Sequence, residues 1–454
     1  MRFLQSFSLR LFSDGVAMAA AFGNQSLFSR VLGPAGKGRF TLLSTTVQLL
    51  VVVFGEALGR SNPYFVGRNP EKLGALSANT ICYGLAAYFF LSGIFVGGAH
   101  FSIWPDPGGS SLLWLLVFWV VCATVLFRGL NSLFLGLERM KVYNALPVFF
   151  ALAYLIGNAI ALKGLDGGVA GVMISWLIAA ILTFSLAIWF LRRVLHGHSD
   201  SVQTTAWVQQ EGDEIPSSHR PFGLSADFTW SPDRLLFVHS MRFGLKAMLI
   251  SLLLVLLFRV DVYLVGYFLG AKATGVYSIA IVLAEMLQKI PNVAGTILFS
   301  KISGGSSEQG DRLTAQVSRS IFALTMIAAG IMALLGSRLI LLMSGAEYEG
   351  AYLPFLYMIP GIVTMASGSV INTNLWVQGY PPQAIVAPIA AVCTNIVLNI
   401  LFIPRFGLVG AGIATSVAYS LWSFLLFVYF SKRTALSFRD LVVVRISDFG
   451  LRAK

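Results

Sequence analysis

Apolar runs of about 20 residues recur along nearly the whole 454-residue chain, and they constrain its fold more than any other feature. As a helix, each run is long enough to cross a hydrocarbon core of ~30 Å. Inside a bilayer every backbone polar group must be satisfied by the protein itself, which leaves only helices or closed barrels. The runs lack the period-two alternation of barrel strands. Only 11% of the residues are charged, against about 25% in soluble domains. The expected class is therefore an all-α polytopic membrane protein.

Twelve spans are expected, at residues 8–32, 38–60, 73–98, 111–136, 142–163, 168–192, 243–269, 274–300, 316–343, 351–378, 382–403 and 408–431. Most connections are short. The longest polar segment, residues 196–242, contains Ser, Pro and scattered His, and it reads as a linker between two six-helix lobes, 1–195 and 243–431. Residues 432–454 form a tail. The N-terminal segment starts basic and turns apolar as a signal peptide does, but Asp14 and Asn24 interrupt it, so a retained first helix is expected. Cys82, Cys122 and Cys393 lie inside apolar spans without metal-site or disulfide spacing and are expected to be packing residues.

The net charge of +12 is first explained by topology and does not require a nucleic-acid partner. Loops and tails on the side of the N-terminus hold about 21 Lys and Arg and the other side about six, which places both termini and the linker in the cytoplasm. The two halves also repeat. "LGPAGKGRFTL" (32–42) matches "LGAKATGVYSI" (269–279), and "GGVAGVMIS" (167–175) matches "GLVGAGIAT" (407–415), at offsets near 240 residues. An even number of spans per half sets the lobes parallel, around a central cavity.

Polar and charged residues inside spans then stand out: Asp14, Asn24, Arg30, Glu56, Arg128, Lys246, Arg259, Asp261, Glu285 and Lys289, with Arg60 at the end of the second span. Each Arg or Asp at a helix centre costs ~2.5 to 3.5 kcal/mol on insertion scales, so such groups face the bundle interior or water. Lys246 is near a membrane surface and can snorkel. Arg259 and Asp261, two residues apart, point roughly 200° from each other on a helix, so each needs a partner elsewhere. Glu285 and Lys289 have the favourable i, i+4 order and can satisfy one another. An offset of 237 sets Asn24 opposite Asp261. Arginines facing a common cavity would make a cationic chamber suited to phosphate. The alternative is that they are locked in ion pairs with Glu56, Asp14 or Asp261.

Nucleotide-binding, GxSxG and HExxH motifs are absent, so ATP-driven transport and membrane-bound hydrolysis are not expected. Residues 29–68, 258–303 and 395–421, among them "FRVDVYLVGYFLGAKATGVYSIAIVLAEM" and "NIVLNILFIPRFGLVGAGIATS", resemble the polysaccharide-biosynthesis flippases. These are the Wzx-like branch of the multidrug/oligosaccharidyl-lipid/polysaccharide exporter superfamily. The likeness runs from the first span to the twelfth.

That resemblance implies alternating access and transfer of an undecaprenyl-pyrophosphate-linked oligosaccharide to the periplasmic leaflet of a bacterial inner membrane. The product would be O-antigen, capsule or exopolysaccharide, with a polymerase and glycosyltransferases as partners and a coupling ion, H+ or Na+, but no cofactor. The family's cavity-facing basic positions match Arg30 and Arg60, and its charged pair on the seventh helix matches Arg259 and Asp261. Arg128 joins the substrate-binding set by its placement alone. Asp14, Asn24, Glu56, Asp261, Glu285 and Lys289 are the candidates for ion coupling or gating. The short tail lacks the two extra helices of lipid II flippases, which argues against a peptidoglycan precursor. A drug exporter of the same superfamily would be expected to use an acid-dominated cavity, and a polysaccharide ligase or polymerase would need a large external loop.

Overall fold

The computed structural model describes residues 2–100, 111–196, 231–302, 307–378, 381–434 and 436–443. Most of the expected linker (197–230) and the tail beyond residue 443 lie outside the described residues. The elements are α1 (Arg2–Arg68), α2 (Leu73–His100), α3 (Ser111–Gly136), α4 (Met140–Ala159), α5 (Gly168–His196), α6 (Arg234–Ile302), α7 (Ser307–Ser344), α8 (Tyr352–Val377), α9 (Gln383–Thr434) and the short α10 (Phe438–Val442). Among the described residues there is no strand.

Among the described residues, nine helical runs are long and apolar enough to cross a membrane, against twelve expected spans. The difference lies in α1, α6 and α9, where helix continues through a glycine on which the chain doubles back. In α1 the rings of Phe28 and Phe40 are 4.8 Å apart, although 12 residues of straight helix would separate them by ~18 Å. Likewise Tyr277 bonds Asp261 at 2.6 Å across the turn of α6, where a straight helix would separate them by ~24 Å. The turning residues Gly33 (φ 65°, ψ 176°) and Gly270 (φ 77°, ψ 178°) occupy a region essentially closed to residues with a Cβ. Each turn is so tight that no loop separates the two arms.

The seventh expected span also starts earlier than its apolar run, because α6 begins at Arg234. Asp233 caps it by accepting the Leu236 amide at 3.0 Å, as N-cap Asp residues do. Asn79 of α2 holds Asp233 through both its amide and its carbonyl. The polar end of the linker is thus helix, fastened to the N-terminal half.

Packing follows the halves of the sequence. Two buried apolar clusters draw on residues 28–191 with Leu236, and two others on residues 257–441. The main junction between them is α1 against α6. At the hairpin tips this junction is reciprocal. A Cβ on Gly38 would lie 1.7 Å from the Ala271 carbonyl oxygen, and one on Gly275 would lie 1.8 Å from that of Pro34. Pro34 and Ala271, like Gly38 and Gly275, differ by 237 in residue number, so the same contact is made twice about a pseudo-two-fold axis. At the far end Tyr64 stacks on Phe243 at 4.5 Å, and Arg433 of α9 pairs with Asp311 of α7 and Gln378 beyond α8. The outer surface carries exposed Phe89, Leu334 and Leu342, as a lipid-facing surface does. Cys122 is buried as expected, but Cys82 and Cys393 are exposed, so they are not packing residues.

Candidate functional site

Arg259 sits on the first arm of α6, eleven residues before the turn, or ~16 Å below the tip. Its Nε donates to Gln48 Oε1 of α1 at 3.2 Å, and its guanidinium pairs with Glu285 on the second arm of α6. Gln48 and Glu285 also differ by 237. One arginine is therefore held by corresponding residues of the two hairpins, a neutral amide on one side and a carboxylate on the other. These groups line a cavity of about 100 Å³ with Phe258, Gln288 and Tyr419. That is below the ~300 to 1,000 Å³ of ordinary ligand pockets, so this conformation has no room for an oligosaccharide beside Arg259.

Asp261 turns the other way, as its helical phase requires. It is buried and accepts the Tyr277 hydroxyl at 2.6 Å, the Thr415 hydroxyl at 3.1 Å and the Val262 amide at 2.8 Å. Tyr277 is on the second arm of α6 and Thr415 on α9, so Asp261 ties three helical arms together in the C-terminal half.

Glu285 pairs with Arg259, while Lys289 is exposed one turn away. The sequence-local pairing of Glu285 with Lys289 is thus corrected. The opposite arm brings a planar, more weakly hydrated guanidinium to the carboxylate, and an ammonium is better left in water. The Arg259–Glu285 pair is part-exposed, at 19% and 43% of the side chains, so its contribution is discounted from that of a fully buried pair. Glu285→Leu alone, which strands the guanidinium, is expected to destabilise by ~1 to 3 kcal/mol, and Arg259→Leu/Glu285→Leu by less. Thermal unfolding in detergent measures both, and additive losses would show that the pair is not coupled.

The other arginines do not converge on Arg259. Arg30 is exposed near the tip and donates to the Leu342 carbonyl at 2.6 Å. Arg60 is exposed and bonds Glu56 one turn before it at 2.7 Å; Glu56 also accepts from Ser251 at 3.2 Å. Arg60 is 27 residues from Gly33 along the second arm, or ~40 Å from the tip. A four-arginine chamber is therefore not assembled in this conformation, because the residues are distributed over the full depth of the bundle. Arg128 is exposed on α3, about 180° around the helix from the exposed Trp119. It thus projects from the face opposite the outward one, between the buried Thr124 and Asn131, whose side-chain oxygens have no hydrogen-bond partner among the described residues. Asn24 is buried and accepts from Asn158 at 2.8 Å, and Asp14 is exposed on the first arm of α1.

Sequence reasoning missed Gln48, Tyr277 and Thr415. Gln48 was detectable as the repeat mate of Glu285. Tyr277 and Thr415 look unremarkable in sequence because neither is charged.

The family described as "Polysaccharide biosynthesis protein" matches residues 3–303, two-thirds of the chain and α1 through α6 apart from Arg2. This chain belongs to that family. The polysaccharide biosynthesis match ends just after the second hairpin, so it includes Gln48, Arg259 and Glu285 together. Two proteins of Haloferax volcanii are similar over shorter stretches. The "Probable low-salt glycan biosynthesis flippase Agl15" is 25% identical over 183 residues, covering 39% of each chain. The "Probable flippase AglR" is 27% identical over 179 residues, covering 36% of each. The match thus spans less than half the length of either relative. Among solved structures, the lipid II flippase MurJ in an inward closed conformation matches with a TM-score of 0.69 at 15% identity, over 96% of this chain and 89% of that one. An inward-facing multidrug resistance MATE family transporter of the MOP superfamily matches at 0.63 and 14% identity, over 92% and 94%. At these identities the likeness shows the fold alone, that of a multi-pass membrane protein.

Proposed function

We propose that this chain is a flippase of surface polysaccharide synthesis, carrying an undecaprenyl-pyrophosphate-linked oligosaccharide across the bacterial inner membrane by alternating access. The observation that carries the reading is Arg259, held between repeat-equivalent Gln48 and Glu285 where the two hairpins meet. A pyrophosphate that displaces Glu285 leaves the guanidinium paired and hydrogen-bonded throughout, and only the partner changes. The exchange needs more room than about 100 Å³, so loading requires the lobes, residues 1–195 and 243–431, to separate.

In this reading both termini are cytoplasmic and the closed hairpin tips face the periplasm. The headgroup meets Arg60 and Arg128 first, at the cytoplasmic end, and Arg30 last, near the tips. Asp261, with its hydroxyl donors from Tyr277 and Thr415, is the proposed coupling residue for H+ or Na+. Glycosyltransferases supply the substrate and a polymerase consumes it.

Deletion of the gene, followed by extraction of lipid-linked oligosaccharide and staining of surface glycan, tests the function. Accumulation of the lipid-linked species with loss of surface glycan, both reversed by the wild-type gene, is the expected result. Normal glycan with raised sensitivity to cationic compounds would instead favour a proton- or sodium-coupled drug exporter. Loss of the ion dependence of transport in Asp261→Asn, with abundance unchanged, is the expected outcome for the coupling role; intact ion dependence would refute it.

A further inference from the structure

Lys37 is among the largest fully buried side chains, at 1% exposure. It lies four residues past the Gly33 turn, beside Gly38, on the tip of the α1 hairpin that closes against α6. Its ammonium donates to Gln25 Oε1 at 2.6 Å and to Ser29 Oγ at 3.0 Å, and no carboxylate among the described residues pairs with it. The Ser29 backbone carbonyl accepts the Tyr348 hydroxyl at 3.0 Å, from the turn that joins α7 to α8. Thus the residues that hold Lys37 also join the two halves at the tip. Its repeat mate is Thr274, a neutral residue that is fully buried, so the charge is not required by the hairpin fold itself.

A buried cation supported only by neutral groups is unfavourable relative to one that meets an anion or water. Parting of the tips would break the Tyr348–Ser29 bond beside Lys37, and an anion entering there would replace Gln25 and Ser29 as its partners. We propose that Lys37 is an anion-receiving residue of the hairpin seam, locked while the seam is shut and presented to the pyrophosphate headgroup of the lipid carrier when it opens. The assignment of the anion to a lipid rests on the flippase reading above.

The test uses the full chain with Cys82, Cys122 and Cys393 replaced by Ala, and Thr274→Cys as a reporter of seam opening towards a water-soluble maleimide. Farnesyl pyrophosphate and inorganic pyrophosphate are the probes, with sodium sulfate at matched ionic strength as control. Farnesyl pyrophosphate is expected to raise the labelling rate about tenfold, the ratio for one charge-assisted hydrogen bond. The rise should disappear in Lys37→Met, which replaces the buried charge by an apolar chain of similar size, and persist in Lys37→Arg. An equal rise in Lys37→Met, or no rise in any chain, would overturn the proposal. A rise with inorganic pyrophosphate alone would overturn the lipid assignment. The two readings fail separately. Surface glycan that persists after gene deletion removes the flippase reading and leaves a Lys37 response standing, whereas a fully responsive Lys37→Met in a strain that loses its glycan removes only Lys37.

Discussion

Gly38→Ala is expected to hold the hairpin seam open and to abolish transport. The added Cβ would sit 1.7 Å from the Ala271 carbonyl oxygen, with further backbone atoms at 2.7 and 2.8 Å. No flexible side chain can yield there, so the two backbones must move apart by more than an ångström. Overpacking of this kind costs ~1 to 3 kcal/mol, and the cheapest relief is for the tips to separate. Gly275→Ala should do the same, because its Cβ meets the Pro34 carbonyl oxygen at 1.8 Å. Maleimide labelling of Thr274→Cys should rise in either variant. Gly330→Ala is the control, since nothing lies within 4 Å of its Cβ, and a helical Ala is if anything stabilising, by up to ~1 kcal/mol. Unchanged labelling in both seam variants would mean that the glycine contacts do not keep the tips shut.

The second large effect is expected at Arg259. Arg259→Ala removes a guanidinium that bonds Gln48 and Glu285, and charged hydrogen bonds of ~1.5 to 3 kcal/mol correspond to a loss of ~10- to 150-fold in binding of the proposed headgroup. Arg259→Lys should recover only part of it, because an ammonium cannot reach an amide and a phosphate with the fixed fork of a guanidinium. Complementation of the deletion strain, with protein abundance measured in parallel, reads both variants. Arg259→Ala that restores surface glycan at normal abundance would show that the arginine serves structure alone.

Much of the architecture was legible in the residues. Span lengths, the repeat offset of 237 and the need of Arg259 and Asp261 for separate partners all follow from helix geometry and the cost of charge in hydrocarbon. Other features were not. Lys37 lies in a short stretch between two expected spans and counted as a loop charge, yet the hairpin turns so tightly at Gly33 that its side chain is buried. Glu285 has a plausible local partner in Lys289 and takes a distant one.

The sequence alone determined the all-α membrane class, the lengths of the arms and the duplication, because hydrophobic length and rise per residue are local properties. Only the tertiary structure decided which buried charge meets which. Arg259 bonds residues 26 and 211 positions away, and that choice depends on how the two hairpins are set against each other, a relation that no local pattern encodes.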